Sequence, residues 1–148
     1  IDANIHLYKD FYKKDIDDYL DQYDIVCFDH PQSINKISYG IQNESKEIIN
    51  KKLDKPCNIN KIMQIIKKNK FRDNIGLTET CILIRNHINI KGFSFEWSQL
   101  LNICIRDQMT FDFLLWKHKV KYDRRSINDR NNILKKKKHI NPLNRFYI

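Results

Sequence analysis

Apolar residues recur along this chain in two periods, and the switches between them outline an alternating α/β order. Residues 1–8 alternate as a strand, and residues 13–22, polar with an early cluster of aspartates, predict a short helix. Asp24-Ile25-Val26-Cys27-Phe28 reads as a short buried strand closed by Asp29-His30-Pro31. Ile34, Ile37, Ile41, Ile48 and Ile49 are spaced near-helically over 34–53. The clearest helix covers 58–71, where Ile59, Ile62, Met63 and Ile66 share a face and Asn58 is the expected N-cap. Asn74-Ile75-Gly76 marks a turn. Over 79–86 the uninterrupted Ile82-Leu83-Ile84 predicts a strand buried on both faces, as in a mixed or parallel central sheet. Phe93, Trp97, Leu100, Leu101 and Cys104 stripe a helix over 92–104, and Met109, Phe113 and Trp116 stripe another over 107–120. Past residue 122 the pattern breaks, so 122–139 reads as a loop or tail, with 140–148 able to dock as a last short strand.

Composition narrows the classes. A chain of 148 residues supports one domain with a core of ordinary size, and 41% hydrophobic with 11% aromatic residues excludes a disordered chain. No apolar run approaches the ~18–20 residues of a membrane span, and no signal-peptide pattern opens the sequence. The chain lacks an initiator Met and begins inside a strand-like run, so residue 1 is expected not to be the natural start. Much of the net charge of +9 sits in Lys135-Lys136-Lys137-Lys138-His139. A solvated lysine-rich surface is preferred to a nucleic-acid partner, because the aromatics follow core spacing and do not interleave with the lysines. Phosphates of a small ligand stay open as partners. Cys27, Cys57, Cys81 and Cys104 form no CxxC pair, which argues against a zinc knuckle and for reduced thiols in a cytoplasmic protein. With only Gly40, Gly76 and Gly92, the chain has no glycine-rich phosphate loop.

The candidate chemistry lies at the junctions between apolar runs, where side chains face clefts rather than cores. Glu79 opens a strand pattern; it is either a general base or a structural acid satisfied by Arg85 or Arg106. Arg106 is either a bidentate phosphate ligand or the ion-pair partner of Glu79. Asp107 suits a helix N-terminus, and Gln108 beside it offers both a donor and an acceptor. Arg85 and His87, two apart, share a face that could meet phosphate or acceptor. Asp2 and Asn4 share the face of a strand that a hard cation would need. His30 before Pro31 reads as a turn residue, His118 as a surface one and Trp97 as core.

In the order Ile1-Asp2-Ala3-Asn4-Ile5, Phe28-Asp29-His30-Pro31, Leu77-Thr78-Glu79 with Ile84-Arg85-Asn86-His87, Trp97, and Arg106-Asp107-Gln108-Met109-Thr110-Phe111, the chain resembles the glycosyltransferase-like domain of the plant TOD/MUCI type. The resemblance covers 1–121 and only the C-terminal portion of that domain, leaving 122–148 as a basic loop or tail. It implies a GT-A-like (Rossmann-like) mixed sheet flanked by helices, incomplete at its N-terminus, with a preceding segment of the same polypeptide binding much of the nucleotide. The implied activity is transfer of a sugar from a nucleotide-diphosphate donor to a glycan or other hydroxyl acceptor. Glu79 and Asp107 are then the implied catalytic residues, and Asp2, Asn4, Arg85, Arg106 and Gln108 bind the donor. Asp2 would hold a divalent metal, Mn or Mg, and Asn4 stands where a second carboxylate is usual. The alternative is a non-catalytic carbohydrate- or protein-binding remnant of such a domain.

Overall fold

The computed structural model describes residues 5–7, 13–33 and 39–136. Its centre is β2 (Ile25–Asp29), flanked by β3 (Thr78–Arg85) running antiparallel and β4 (Tyr122–Arg125) running parallel. The result is a small three-stranded mixed sheet flanked by helices. Ile25, Val26, Cys27 and Phe28 are all fully buried, as the apolar run requires. Burial on both faces belongs to β2 and not to β3. Among the described strands β3 is an edge, with Ile82 and Ile84 buried and Leu83 only half-buried. A second pair joins β1 (Ile5–Leu7) antiparallel to β5 (Leu134–Lys136).

Six helices complete the described chain: α1 (Lys13–Leu20), α2 (Ile41–Asn50), α3 (Pro56–Lys68), α4 (Lys91–Leu101), α5 (Gln108–Lys117) and α6 (Ile127–Ile133). Buried Ile41, Glu44, Ser45 and Ile48 give α2 one inward face, and Ile59, Ile62 and Ile66 do the same for α3. Pro56 opens α3 at a position where its missing N–H costs nothing. Asn58 therefore lies inside the helix rather than capping it. Helix α5 is buried from Met109 through Leu115 without interruption, so it is the central helix of the main core and not a one-sided stripe. Phe93, Trp97 and Phe111 pack there with ring centroids 5.1–5.7 Å apart.

Gly40 precedes α2 because no side chain fits. A Cβ there would lie 2.1 Å from Asp73 Oδ1. The bare backbone lets the Asp73 carboxylate accept from the amides of Ile41 and Gln42, at 3.0 and 2.8 Å, and cap the helix from across the fold.

The segment from 122 to 136 is not a loop, since it supplies β4, α6 and β5. Residues 137–148, including the expected last strand, lie outside the described residues.

Three helices end in the same way. Lys52, Lys70 and Lys119 adopt left-handed φ angles of 54°, 58° and 51° just past α2, α3 and α5. In each case the next amide (Leu53, Phe71, Val120) donates back to the carbonyl of Ile48, Ile66 or Leu115, closing a Schellman turn. Left-handed lysine costs about 1–2 kcal/mol, against about 0.5–1 kcal/mol of extra unfolded-chain freedom for glycine. Lys70→Gly is therefore expected to raise the unfolding free energy by roughly 0.5–1 kcal/mol. Urea denaturation would show this as a higher midpoint, whereas an unchanged or lower midpoint would mean the turn carries no strain.

Candidate functional site

The start of β3 and the start of α5 are laced together by three carboxylate contacts. Asp112, on buried α5, accepts from the Thr78 amide at 2.8 Å and the Thr78 hydroxyl at 2.6 Å. Asp107 caps α5, accepting from the Gln108 amide at 2.9 Å, while its other oxygen accepts from the Thr80 hydroxyl at 2.7 Å. This lacing places Glu79, Arg106 and Gln108 around one cavity of about 270 Å³, with His30, Tyr39 and Glu44 lining it too.

The cavity is polar, and each of its carboxylates is engaged by a neighbouring side chain. Glu79 is 3% exposed and forms an ion pair with Arg130 of α6, itself 7% exposed. Among the described residues the ion-pair partner of Glu79 is thus Arg130, rather than Arg85 or Arg106. The Tyr39 hydroxyl donates to Glu44 Oε2 at 3.0 Å, with both residues buried. Burial first, and then the Glu44 carboxylate, raise the Tyr39 phenol above its ordinary pKa, so it stays a donor. The His30 ring stacks on Tyr39 at 5.9 Å, and its Nδ1 accepts from the Gln32 amide at 3.3 Å. At the rim, Lys51 and Glu47 pair at 2.9 Å. The Arg106 Nε is buried and has no hydrogen-bond partner among the described residues. A buried donor in that condition beside a cavity points to an acceptor that a ligand or water supplies.

The other sequence-derived residues fall elsewhere. The Asp107 carboxylate serves the lacing and is not part of the cavity wall. Arg85 is exposed at the opposite end of β3, six residues from Glu79 or roughly 20 Å along the strand, and His87 lies exposed beyond it. Asp2 and Asn4 lie outside the described residues. His118 is half-buried rather than on the surface; it closes α5 and meets Glu96 at 2.8 Å. Trp97 packs on the core as expected.

No group of three or more His, Cys, Asp or Glu suited to a metal occurs among the described residues. Within the cavity, Glu44 is engaged by Tyr39, Glu79 by Arg130 and Glu47 by Lys51, which is not the arrangement of a divalent-cation site. The four cysteines form no disulfide here, and burial pushes the Cys27 thiol up to about 12 and Cys104 to about 11, so neither is a thiolate nucleophile.

Two polar features escaped the periodicity. One is the buried pair of Asp112 with Arg124, where Arg124 Nη2 donates to Asp112 Oδ1 at 2.7 Å. Burial pushes the Asp112 carboxyl upward, and Arg124 and the Thr78 donors oppose it. Its signal was a lone carboxylate inside the apolar run Met109-Thr110-Phe111-Asp112-Phe113-Leu114-Leu115. The other is Tyr39–Glu44, which has no such signal.

Comparison with protein-family models, with curated proteins and with solved structures finds no match. Fold and site therefore define the class directly: a mixed α/β domain with a polar cavity at one end of its sheet. Among the described residues no helix is long and apolar enough to cross a membrane.

Proposed function

We propose that this chain is a glycosyltransferase-like domain of GT-A type that handles a sugar, from a nucleotide-diphosphate donor or on a hydroxyl acceptor, in the cavity between Glu79 and Gln108. The observation that carries this reading is convergence. Arg106 and Gln108, from the most specific segment of the family resemblance, and Glu79, far from them in sequence, line one cavity. Its size, about 270 Å³, falls just below the ~300–1,000 Å³ range of pockets for drug-sized ligands and suits a single sugar ring. Its lining carries both donors and acceptors, as hydrogen bonding to hydroxyls uses. Glu79 accepts from a hydroxyl in this arrangement, Gln108 both donates and accepts, and the Arg106 Nε gains its missing acceptor. Asp107 acts through position, holding Gln108 and Thr80 in place.

The test is saturation-transfer NMR on the full chain with nucleoside-diphosphate sugars and methyl glycosides. Binding is expected, and Arg106→Met or Gln108→Leu should weaken it about tenfold, the scale of a lost hydrogen bond to a charged or buried group. No binding to a folded sample overturns the proposal. Binding with no transfer of the sugar, even with manganese added, would leave the non-catalytic remnant as the better reading.

A further inference from the structure

We propose that the chain binds a short apolar peptide free at both ends, a dipeptide, in a second cavity between α2 and α3. This cavity, of about 550 Å³, shares no lining residue with the one at Glu79, so the inference does not rest on the sugar-handling reading.

Part of its wall is apolar. Ile41 and Ile66 are buried there, and Met63 and Phe71 are half-buried. Phe71 is held in place, since its amide closes the Schellman turn after α3 and its ring meets Phe113 and Trp116 edge-on, at 5.9 and 5.4 Å. Two opposite charges line the same cavity, and neither has an ion-pair partner among the described residues. One is Asp73, fixed by the α2 amides of Ile41 and Gln42, from which its two oxygens accept one hydrogen bond each. Each of those oxygens has room for a further donor. The other is Lys67 on α3, which does not pair with Asp73 although both face one space. The rest of the lining, Gln42, Asn60 and Gln64, is carboxamide, so each residue offers a donor and an acceptor.

A zwitterionic peptide answers all three chemistries. Its ammonium donates to Asp73, its carboxylate accepts from Lys67, and the carboxamides meet the C=O and N–H of the peptide bond between. Apolar side chains on the ligand leave water against the apolar wall. A neutral apolar molecule would desolvate both charges without pairing either. An anion alone would meet Asp73, and a cation alone would meet Lys67. The length agrees as well. Asn60 and Lys67 stand seven residues apart on α3, about 10 Å along its axis, and an extended dipeptide spans ~7 Å before its terminal groups are added. The volume lies inside the ~300–1,000 Å³ range of ligand pockets.

The test titrates leucyl-phenylalanine, its N-acetyl form, its C-terminal amide and glycyl-glycine into the full chain, followed by NMR of the Met63 methyl. Leucyl-phenylalanine is expected to bind and to shift that methyl. Each capped form should bind about tenfold more weakly, the scale of a lost hydrogen bond to a charged group, and glycyl-glycine more weakly still. Lys67→Met should weaken the free dipeptide about tenfold and erase the difference between it and its amide, while the penalty for acetylation stays. Lys68→Met, a change at the exposed neighbour that lines no part of the cavity, should leave every affinity as it was. The inference is overturned if no dipeptide binds a folded sample, or if capped forms or glycyl-glycine bind as tightly as leucyl-phenylalanine. It is overturned equally if the amide penalty survives Lys67→Met, or if binding leaves the Met63 methyl unshifted.

Discussion

Arg124→Met is expected to lower the unfolding free energy by about 3–5 kcal/mol, the cost of leaving one member of a buried ion pair behind. Asp112 is fully buried on the central helix, and the side chain of Arg124 is only 10% exposed. Arg124 also donates to the Ile75 carbonyl, so its loss frees a second acceptor. Asp112→Asn in the same background should recover much of the loss, because the amide oxygen still accepts from Thr78 while the uncompensated charge is gone. The pH dependence gives an independent check. Burial already pushes the Asp112 carboxyl upward, and removing Arg124 removes the charge that opposes this. A carboxyl whose folded pKa is raised contributes stability below its unfolded value and loses it as pH rises through the folded one. The penalty of Arg124→Met should therefore shrink as pH falls toward about 4, the ordinary aspartate range. Urea denaturation at several pH values would read both effects; a loss under 1 kcal/mol, or a penalty independent of pH, would show that the buried pair contributes little to stability.

The second large effect lies at the same end of the sheet, where Glu79 follows Thr78 on β3. Arg130→Met should also cost about 3–5 kcal/mol, seen as a fall of roughly 10–15 °C in Tm for a chain of this size. The side chains of Arg130 and Glu79 are 9% and 4% exposed, so solvent screens their attraction little. Without Arg130 the Glu79 carboxylate keeps its burial and loses the Arg130 charge beside it. Glu79→Gln should restore much of the Tm in the Arg130→Met background, and a rescue by Glu79→Gln greater than its effect in the wild type is the signature of direct coupling. A shift of only a degree or two would instead mean that α6 contributes little to holding the sheet. The outcome matters beyond stability, because Arg130 anchors the carboxylate on which the sugar-handling reading depends.

Much of the fold is legible in local spacing. The i, i+3, i+4 pattern of Ile59, Ile62 and Met63 locates α3 before any contact is known, although its start shifts to Pro56 because proline at the first turn outweighs an asparagine cap. Apolar Ile25-Val26-Cys27-Phe28 identifies the buried strand for the same reason. Tyr122-Asp123-Arg124-Arg125 shows the limit of that logic. Nothing in its composition alternates, yet it is a strand, because β2 supplies its backbone partners and its charges are met one by one. Arg124 meets Asp112, and Arg125 meets Asp123 at 2.8 Å and the Tyr19 hydroxyl at 2.9 Å.

The site divides along the same line. Glu79, Arg106 and Gln108 can be singled out from sequence because polar residues at the ends of apolar runs stand at element termini, and termini border clefts. By itself, then, the sequence determined the periodic helices α3, α4 and α5 and the buried strand β2, since these follow from a residue and its near neighbours, whereas β4, α6 and β5 do not. Only the tertiary structure decided that Arg130 rather than Arg85 or Arg106 faces Glu79, that Arg124 meets Asp112, and that Tyr39 and Glu44 close one wall of the cavity. Those pairings join residues on different elements. Charge is matched through space, and sequence distance carries no record of it.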